Sequence, residues 1–498
     1  MLETEQPSSL PADREAESAS SSKTFPATRR PRRLASVISL TGAGSALTMA
    51  ISTLVNITVA RTSGPSGYAV FFTSNMLVYV AAILFSCGLP LALSKHVASM
   101  EEQGRHEELR HSAAAVLLLI TIIAIVCGAG MIIGLPLLDD LLKLTISRGF
   151  AIAYAPVLLF AMLSEGIQGI YSGLFRPRSV IAIAVSGPLM MMLYIALSVT
   201  VFPLPLWGAV ATSYVCSGLV AIFKLLHDRL VSTPSLRRIR PVMRDVAPSA
   251  TFMFFTIFSA WSDRWVAAIY MAPEVSGSYF SAVAIIHAVL RIPTNVAYLL
   301  VPAATRIALR GDEQSRNFNR AMMWTYGLFS AMVVVIIMLA PTMIVHLLFG
   351  HKFSLAAPAL FFMTPSLLCS AISIPIISAV TGSDRNKLII YLLGLTFLPR
   401  LFMLVYFTIH WSYVGTAFAK VATDALLALL CLLLSRGIGM GFPLKTLIVP
   451  FLAGAVAFGC GLGALLLEAP QPAAVALALL VFTPLLWKTV RRARASTD

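Results

Sequence analysis

Runs of about twenty apolar residues recur along this chain from residue 34 to residue 488, and few structures are open to such a pattern. A run of that length crosses a hydrocarbon core about 30 Å thick as a helix. The rest of the composition agrees: 58% of the residues are hydrophobic, only 12% are charged, and the mean hydropathy is +0.84. Soluble domains carry about 25% charged residues, so this chain has too little charge to cover a water-facing surface. The expected class is an all-α polytopic membrane protein.

About fourteen apolar spans are read at 34–59, 68–94, 112–134, 149–173, 179–202, 207–226, 247–270, 275–303, 320–348, 355–381, 387–409, 412–435, 446–467 and 472–488. Residues 1–33 are polar at first, rich in Ser, Glu and Pro, and read as a disordered tail. They do not make a signal peptide, because the apolar stretch after Arg29, Arg30, Arg32 and Arg33 is too long and lacks a cleavage site. The six cysteines lie inside apolar segments without CxxC spacing, which makes them small hydrophobes rather than metal ligands or disulfide partners. No cofactor is expected.

The net charge of +15 would fit a nucleic-acid partner, but its placement gives a different reading. With the tail and every second loop on one side, about 26 near-membrane basic residues fall there and about four on the other. The rich side includes Arg237, Arg238, Arg240, Arg244, Arg491, Arg492 and Arg494; the poor side holds Arg61, Lys143, Arg148 and Lys352. A bias of that size places the rich side, and both termini, in the cytoplasm. The excess is a topology signal, and no nucleic acid is expected as a partner.

The chain also repeats itself. RTSGPSGYAVFF from Arg61 returns about 210 residues later as YMAPEVSGSYFS from Tyr270. CGLPLALSKHVASMEEQGR from Cys87 parallels YLLVPAATRIALRGDEQSR from Tyr298, and WGAVATSYVCSGLVAIFKLL from Trp207 parallels YVGTAFAKVATDALLALLCLLL from Tyr413. Gly208 faces Gly415 in that last match. Three matches in order at nearly one offset outweigh chance similarity among apolar helices. Six spans per half is an even number, so both halves enter from the same side, and such parallel repeats meet along an axis normal to the membrane. The expected units are a tail (1–33), a first lobe (34–226), a linker (227–246), a second lobe (247–436), and two extra helices with a basic tail (437–498). Two such lobes around a central path suit an alternating-access transporter rather than an enzyme.

At these residues the chain resembles bacterial polysaccharide flippases of the multidrug/oligosaccharidyl-lipid/polysaccharide exporter superfamily. DRWVAAIYMAPEVSGSYFSA from Asp263 is similar to their seventh-helix signature, and LLVPAATRIA near Pro302 and VGTAFAKVATDALLALL from Val414 also resemble them. The resemblance covers residues 34 to about 436, and the last two spans match in position only. It implies that the cargo is an undecaprenyl-diphosphate-linked oligosaccharide moved from the cytoplasmic to the periplasmic leaflet. It also implies working partners among the glycosyltransferases and polysaccharide polymerase of one pathway, besides the membrane lipids.

An ionisable group in mid-span costs about 2.5–3.5 kcal/mol on insertion scales, so each needs a partner or a use. Seven stand out: Arg264, Arg291, Arg400 and Lys420 as candidate substrate-binding residues, and Asp263, Asp424 and Glu165 as candidates for ion or proton coupling. Lys420 and Asp424, four apart, share a helix face and could satisfy each other. Asp263 and Arg264 point about 100° apart and cannot pair well. Arg291 and Arg400 have no acidic neighbour within a turn, and a cavity carrying a diphosphate needs fixed, bidentate positive charge. All four basic residues lie in the second half, so an anion site would be asymmetric. Asn56, Asn75, Tyr79, Tyr154, Gln168, Tyr171, Trp261 and Asn295 are candidates to line a sugar path.

Rival readings fit less well. A cation-coupled multidrug exporter of the same superfamily would carry an acid in the first span, which has no charge in its apolar core. A peptidoglycan-precursor flippase would place arginines in the first lobe. A membrane glycosyltransferase would need large outer loops or paired carboxylates near one interface, and Asp139–Asp140 reads as a solvated turn. TGAGSAL from Thr41 lacks the preceding strand of a dinucleotide loop, and small residues for helix packing explain it.

Overall fold

The computed structural model describes residues 31–142, 148–200, 204–235, 239–308, 312–382, 386–437, 445–487 and 489. The expected basic clusters at Arg29–Arg30, Arg237–Arg238 and Arg491–Arg494 lie outside these residues, as does Lys143. Among the described residues the chain is helical throughout, with fifteen α-helices and no strand. The first half comprises α1 (Pro31–Phe85), α2 (Leu89–Glu102), α3 (His106–Leu142), α4 (Arg148–Gly173), α5 (Pro177–Thr200) and α6 (Leu206–His227). The second comprises α7 (Arg240–Tyr270), α8 (Pro273–Ala308), α9 (Asp312–Leu339), α10 (Pro341–Phe349), α11 (Ala356–Met363), α12 (Ser366–Gly382) and α13 (Asn386–Gly437). The last two are α14 (Lys445–Leu466) and α15 (Gln471–Leu480).

By length and composition, eight of the described helices can cross a membrane, or nine when the bent pair α11–α12 is one span. Two of the eight are double. In α1 the helical geometry breaks at Gly64, whose φ of 71° lies in the left-handed region. The Tyr68 hydroxyl nevertheless donates to Asn56 Oδ1 at 2.9 Å, although residues twelve apart on a straight helix stand about 18 Å apart. The chain therefore folds back at Gly64. The same happens in α13 at Ser412 (φ 52°), where Thr408 and Thr416 hydroxyls meet at 2.7 Å. Each double helix contributes two of the expected spans.

Three expected boundaries shift, each at a break that hydropathy cannot register. The span read at 68–94 ends at Phe85, because Cys87 and Gly88 both take positive φ. Beyond that corner lies α2, a one-sided helix burying Leu89, Ala92, Leu93, Val97 and Met100. The span read at 320–348 breaks at Ala340, before Pro341 opens α10. The span read at 355–381 is bent by 44° between α11 and α12, where Pro365 interrupts the backbone ladder.

Packing divides the chain as the repeat predicts into two lobes. In the first, α3, α5 and α6 gather on α4 and on each other, and α1 lies along α5; in the second, α12 and α7 pack on α13, and α8 and α9 on α12. Helices α14 and α15 sit outside, against α9 and each other. Large apolar side chains such as Ile125, Val126, Phe223, Leu398, Phe402 and Leu452 are exposed on the outer surface, as a lipid-facing surface requires.

The lobes meet mainly through α1 and α8, the helices that carry the two repeated turns. Phe72 stacks on Phe280 with ring centres 4.6 Å apart. Gly277 lies so close to the first turn that a Cβ there would stand 1.9 Å from the Pro65 carbonyl oxygen. Nearby, the Arg61 guanidinium donates to the carbonyls of Leu347 and Leu348 (2.9 Å for the latter) at the end of α10. At the opposite end Gly88 (φ 70°) abuts Ser249 and Ala250 of α7. The two repeats thus touch each other at both ends and part in between.

The Gly277 contact is testable. Gly277→Val forces the turns apart, an overpacking that costs about 1–3 kcal/mol, so thermal melting of the purified protein should fall. Gly459→Ala, at a position with nothing within 4 Å, serves as the control and should melt as the wild type does. Equal melting of all three would refute the close approach.

A cationic cavity between two lobes

A cavity of about 410 Å³ lies where the lobes part. Its second-lobe wall comes from one face each of α7 and α8: Trp261 and Arg264, three apart, and His287 and Arg291, four apart. Arg264 is 1% exposed and held from three sides. Its guanidinium lies over the Trp261 ring at 4.2 Å, a cation–π contact, and donates to the Ala260 carbonyl at 2.9 Å. It also meets His287 Nε2. Arginine only donates, so Nε2 accepts, and His287 is the neutral tautomer with its proton on Nδ1. Arg264 Nε finds no partner among the described residues. Arg291, exposed at the cavity, has no ion partner among the described residues.

The first-lobe wall is polar and carries one acid. Glu165 and Gln168 of α4 face the cavity beside Ser164, Ser217, Asn56, Asn75, Tyr79 and Tyr214. Most of these groups bond to each other. Ser164 and Ser217 hydroxyls meet at 2.8 Å, Gln168 donates to Ser164 at 3.2 Å, and Tyr214 donates to Asn75 Oδ1 at 3.1 Å.

The remaining candidates lie behind this wall, within the second lobe, and none of them lines the cavity. Arg400, 2% exposed, donates to Ser262 (3.2 Å), Ser259 (3.0 Å) and Asp424 Oδ1 (3.0 Å). Lys420 reaches the other oxygen of Asp424 at 3.3 Å, the i,i+4 pairing expected from sequence. Asp263, fully buried, accepts from the Tyr279 hydroxyl at 3.0 Å while its Oδ1 has no partner among the described residues. Two basic and two acidic groups balance there. Helix spacing gives Arg400 no acidic neighbour within a turn, which points it at a cargo; its acidic partner comes instead from the next span, across a fold-back that helix spacing does not register. Asp263 and Arg264 diverge as their helical step demands, one into the lobe and the other into the cavity.

Of the candidates for a sugar path, Asn56, Asn75, Tyr79, Gln168 and Trp261 line the cavity. Tyr154 instead donates to the Leu77 carbonyl, and Tyr171 to Asp228 at the end of the bundle. The Asn295 side chain lies outside the described residues. Sequence reasoning missed Ser259, Ser262 and Tyr279, whose partners Arg400 and Asp263 lie 16 or more residues away in the chain.

No protein-family model matches the chain, and no curated protein matches it by sequence. Solved structures do match. A structure described as lipid II flippase MurJ in an inward closed conformation superposes with a TM-score of 0.72 at 12% identity, covering 92% of this chain and 99% of that one. An inward-facing multidrug resistance MATE family transporter of the MOP superfamily gives 0.63 at 17% identity, covering 79% and 94%. A MOP superfamily transporter from Pyrococcus furiosus, described as having a binding pocket of reversed polarity, gives 0.58 at 18% identity, covering 81% and 95%. The chain therefore has the two-lobed fold of MOP-superfamily transporters.

The buried second-lobe network predicts a stability effect. Removing one partner of a buried ion pair costs about 3–5 kcal/mol, so Asp424→Ala should sharply lower the folded yield and melting temperature. Arg400→Ala should do the same, because Asp424 then keeps only Lys420. Wild-type melting of both variants, measured on purified protein, would show that the pair carries no structural load.

Proposed function

We propose that the protein is a flippase that carries an oligosaccharide linked through diphosphate to undecaprenol across the cytoplasmic membrane, by alternating access and without a catalytic step. The observation that carries this reading is the pair Arg264 and Arg291, two permanent cations on one wall of the cavity with no acid paired to either among the described residues. Charge kept unpaired inside a membrane is retained for a use. Guanidinium forks match phosphate oxygens bidentately, and the low dielectric between the lobes strengthens that match. A structural likeness to a protein described as a lipid II flippase supports a lipid-linked cargo.

A multidrug exporter of the same fold is the second reading, and Glu165 is its best support. Two arginines outnumber that one acid, which disfavours a cationic drug. Transport by rocking would separate the repeated turns, breaking the Arg61 bonds and the Pro65–Gly277 contact, while the Gly88 contact at the opposite end holds. The basic residues Arg105, Arg110, Arg176, Arg229, Arg240 and Arg244 gather at the end carrying α2 and the 228–239 linker, which supports a cytoplasmic position for that end. Glycosyltransferases and a polymerase of the same pathway are its natural partners.

Two measurements test this reading. Arg264→Ala and Arg291→Ala should each lower polysaccharide output in a flippase-deficient host about tenfold or more, normalised to folded transporter, since hydrogen bonds to charged groups are worth about 1.5–3 kcal/mol. Arg291→Lys should retain part of the activity, because charge survives and the fork does not. Full activity of both Ala variants would rule out the anion site. For orientation, Ser235→Cys in a cysteine-free variant should resist an impermeant thiol reagent in intact cells. Labelling from outside would invert the topology.

A further inference from the structure

The cavity has two unlike walls, and only one of them is explained by a phosphate. Glu165 stands in α4 at mid-span, half-buried and facing the cavity, where an ionisable group is costly without a partner. The protein supplies none: no hydrogen bond or ion pair to its carboxyl occurs among the described residues. Several donors on that wall bond elsewhere, Gln168 to Ser164, Ser164 with Ser217, and Tyr214 to Asn75. Arg264 is turned instead to His287, Ala260 and Trp261, so the acid and the guanidinium face each other without being ion-paired.

The geometry points to Glu165 as the sugar-side anchor of the cavity, accepting hydrogen bonds from hydroxyls of the glycosyl group next to the diphosphate while Arg264 and Arg291 hold the phosphates. A carboxylate offers two oxygens and only accepts, which matches a pair of neighbouring sugar hydroxyls. The same carboxylate would repel a phosphate placed against the first lobe, so the cargo takes one orientation, with its phosphates toward α7–α8 and its sugar toward α4. The volume of about 410 Å³ is near the lower end of small-molecule pockets, about 300–1,000 Å³, which suits the diphosphate and its first sugar rather than a long repeat unit. Glu165 then selects for the presence and hydroxyl pattern of that first sugar. This inference rests on the reading of the cavity as a lipid diphosphate site.

The experiment compares two probes on the purified full chain in nanodiscs: undecaprenyl diphosphate alone, and undecaprenyl diphosphate bearing a single hexose. The hexose should tighten binding to the wild type about tenfold to a hundredfold, the range for hydrogen bonds to a charged acceptor. Glu165→Gln should lose most of that gain and bind the bare probe as well as the wild type or better, because like-charge repulsion is removed. Glu165→Asp, which keeps the charge and shortens the reach, should lose part of the gain. Bare-probe binding is thus also the control for folding. An undiminished hexose gain in Glu165→Gln would overturn the assignment. So would a parallel loss of both probes in Glu165→Gln and Glu165→Asp, which would put Glu165 in the fold or in the anion site. A wild type that does not bind the bare probe, or Arg264→Ala and Arg291→Ala variants that bind it undiminished, would instead defeat the diphosphate reading itself.

Discussion

A charge in a low-dielectric interior must be paired, neutralised or given to a ligand, and that constraint organises the centre of this protein. The second lobe meets it internally. Asp424 takes both Arg400 and Lys420, while Ser259 and Ser262 fill two further donors of the Arg400 fork. Once that group is balanced, the charges left over are those on the cavity. Arg264 is fixed there by Trp261 and by His287, whose Nε2 accepts from it. These contacts set its position within the protein itself.

The second organising element is the repeat. Its two turns are more than similar sequences, because they come together in space, with the backbone at Pro65 against Gly277 and Phe72 on Phe280. A contact this close requires glycine at 277, and the rings of Phe72 and Phe280 stack beside it. At the other end, Gly88 in left-handed geometry lets the α1–α2 corner approach α7 in the same way. Both ends therefore bring backbone against backbone, and the charged cavity lies between them. Helices α14 and α15, packed on α9, stand apart from both ends and from the cavity.

Much of the site was legible in the chain and part of it was not, and the division reflects the range of the interactions. Lys420–Asp424 and the divergence of Asp263 from Arg264 are set by helical spacing, which acts over a single turn. The exclusion of Arg400 from the cavity is set by Asp424, 24 residues away, and by two serines about 140 residues away. No local rule places those groups together. Equally, hydropathy located the spans but passed over the breaks at Cys87–Gly88, Ala340 and Pro365, since a left-handed residue or a missing N–H changes direction without changing polarity.

By itself the sequence determined the solvent this protein lives in, the helices that solvent permits, and the doubling that yields two lobes. All three rest on average polarity and periodicity, quantities that survive when identity to proteins of the same fold is as low as 12%. The tertiary structure alone decided which of seven membrane-embedded charges meet a partner and which meet the cavity. Pairing depends on distances of about 3 Å between residues far apart in the chain, and those contacts hold Arg400 within the lobe while Arg264 lines the cavity.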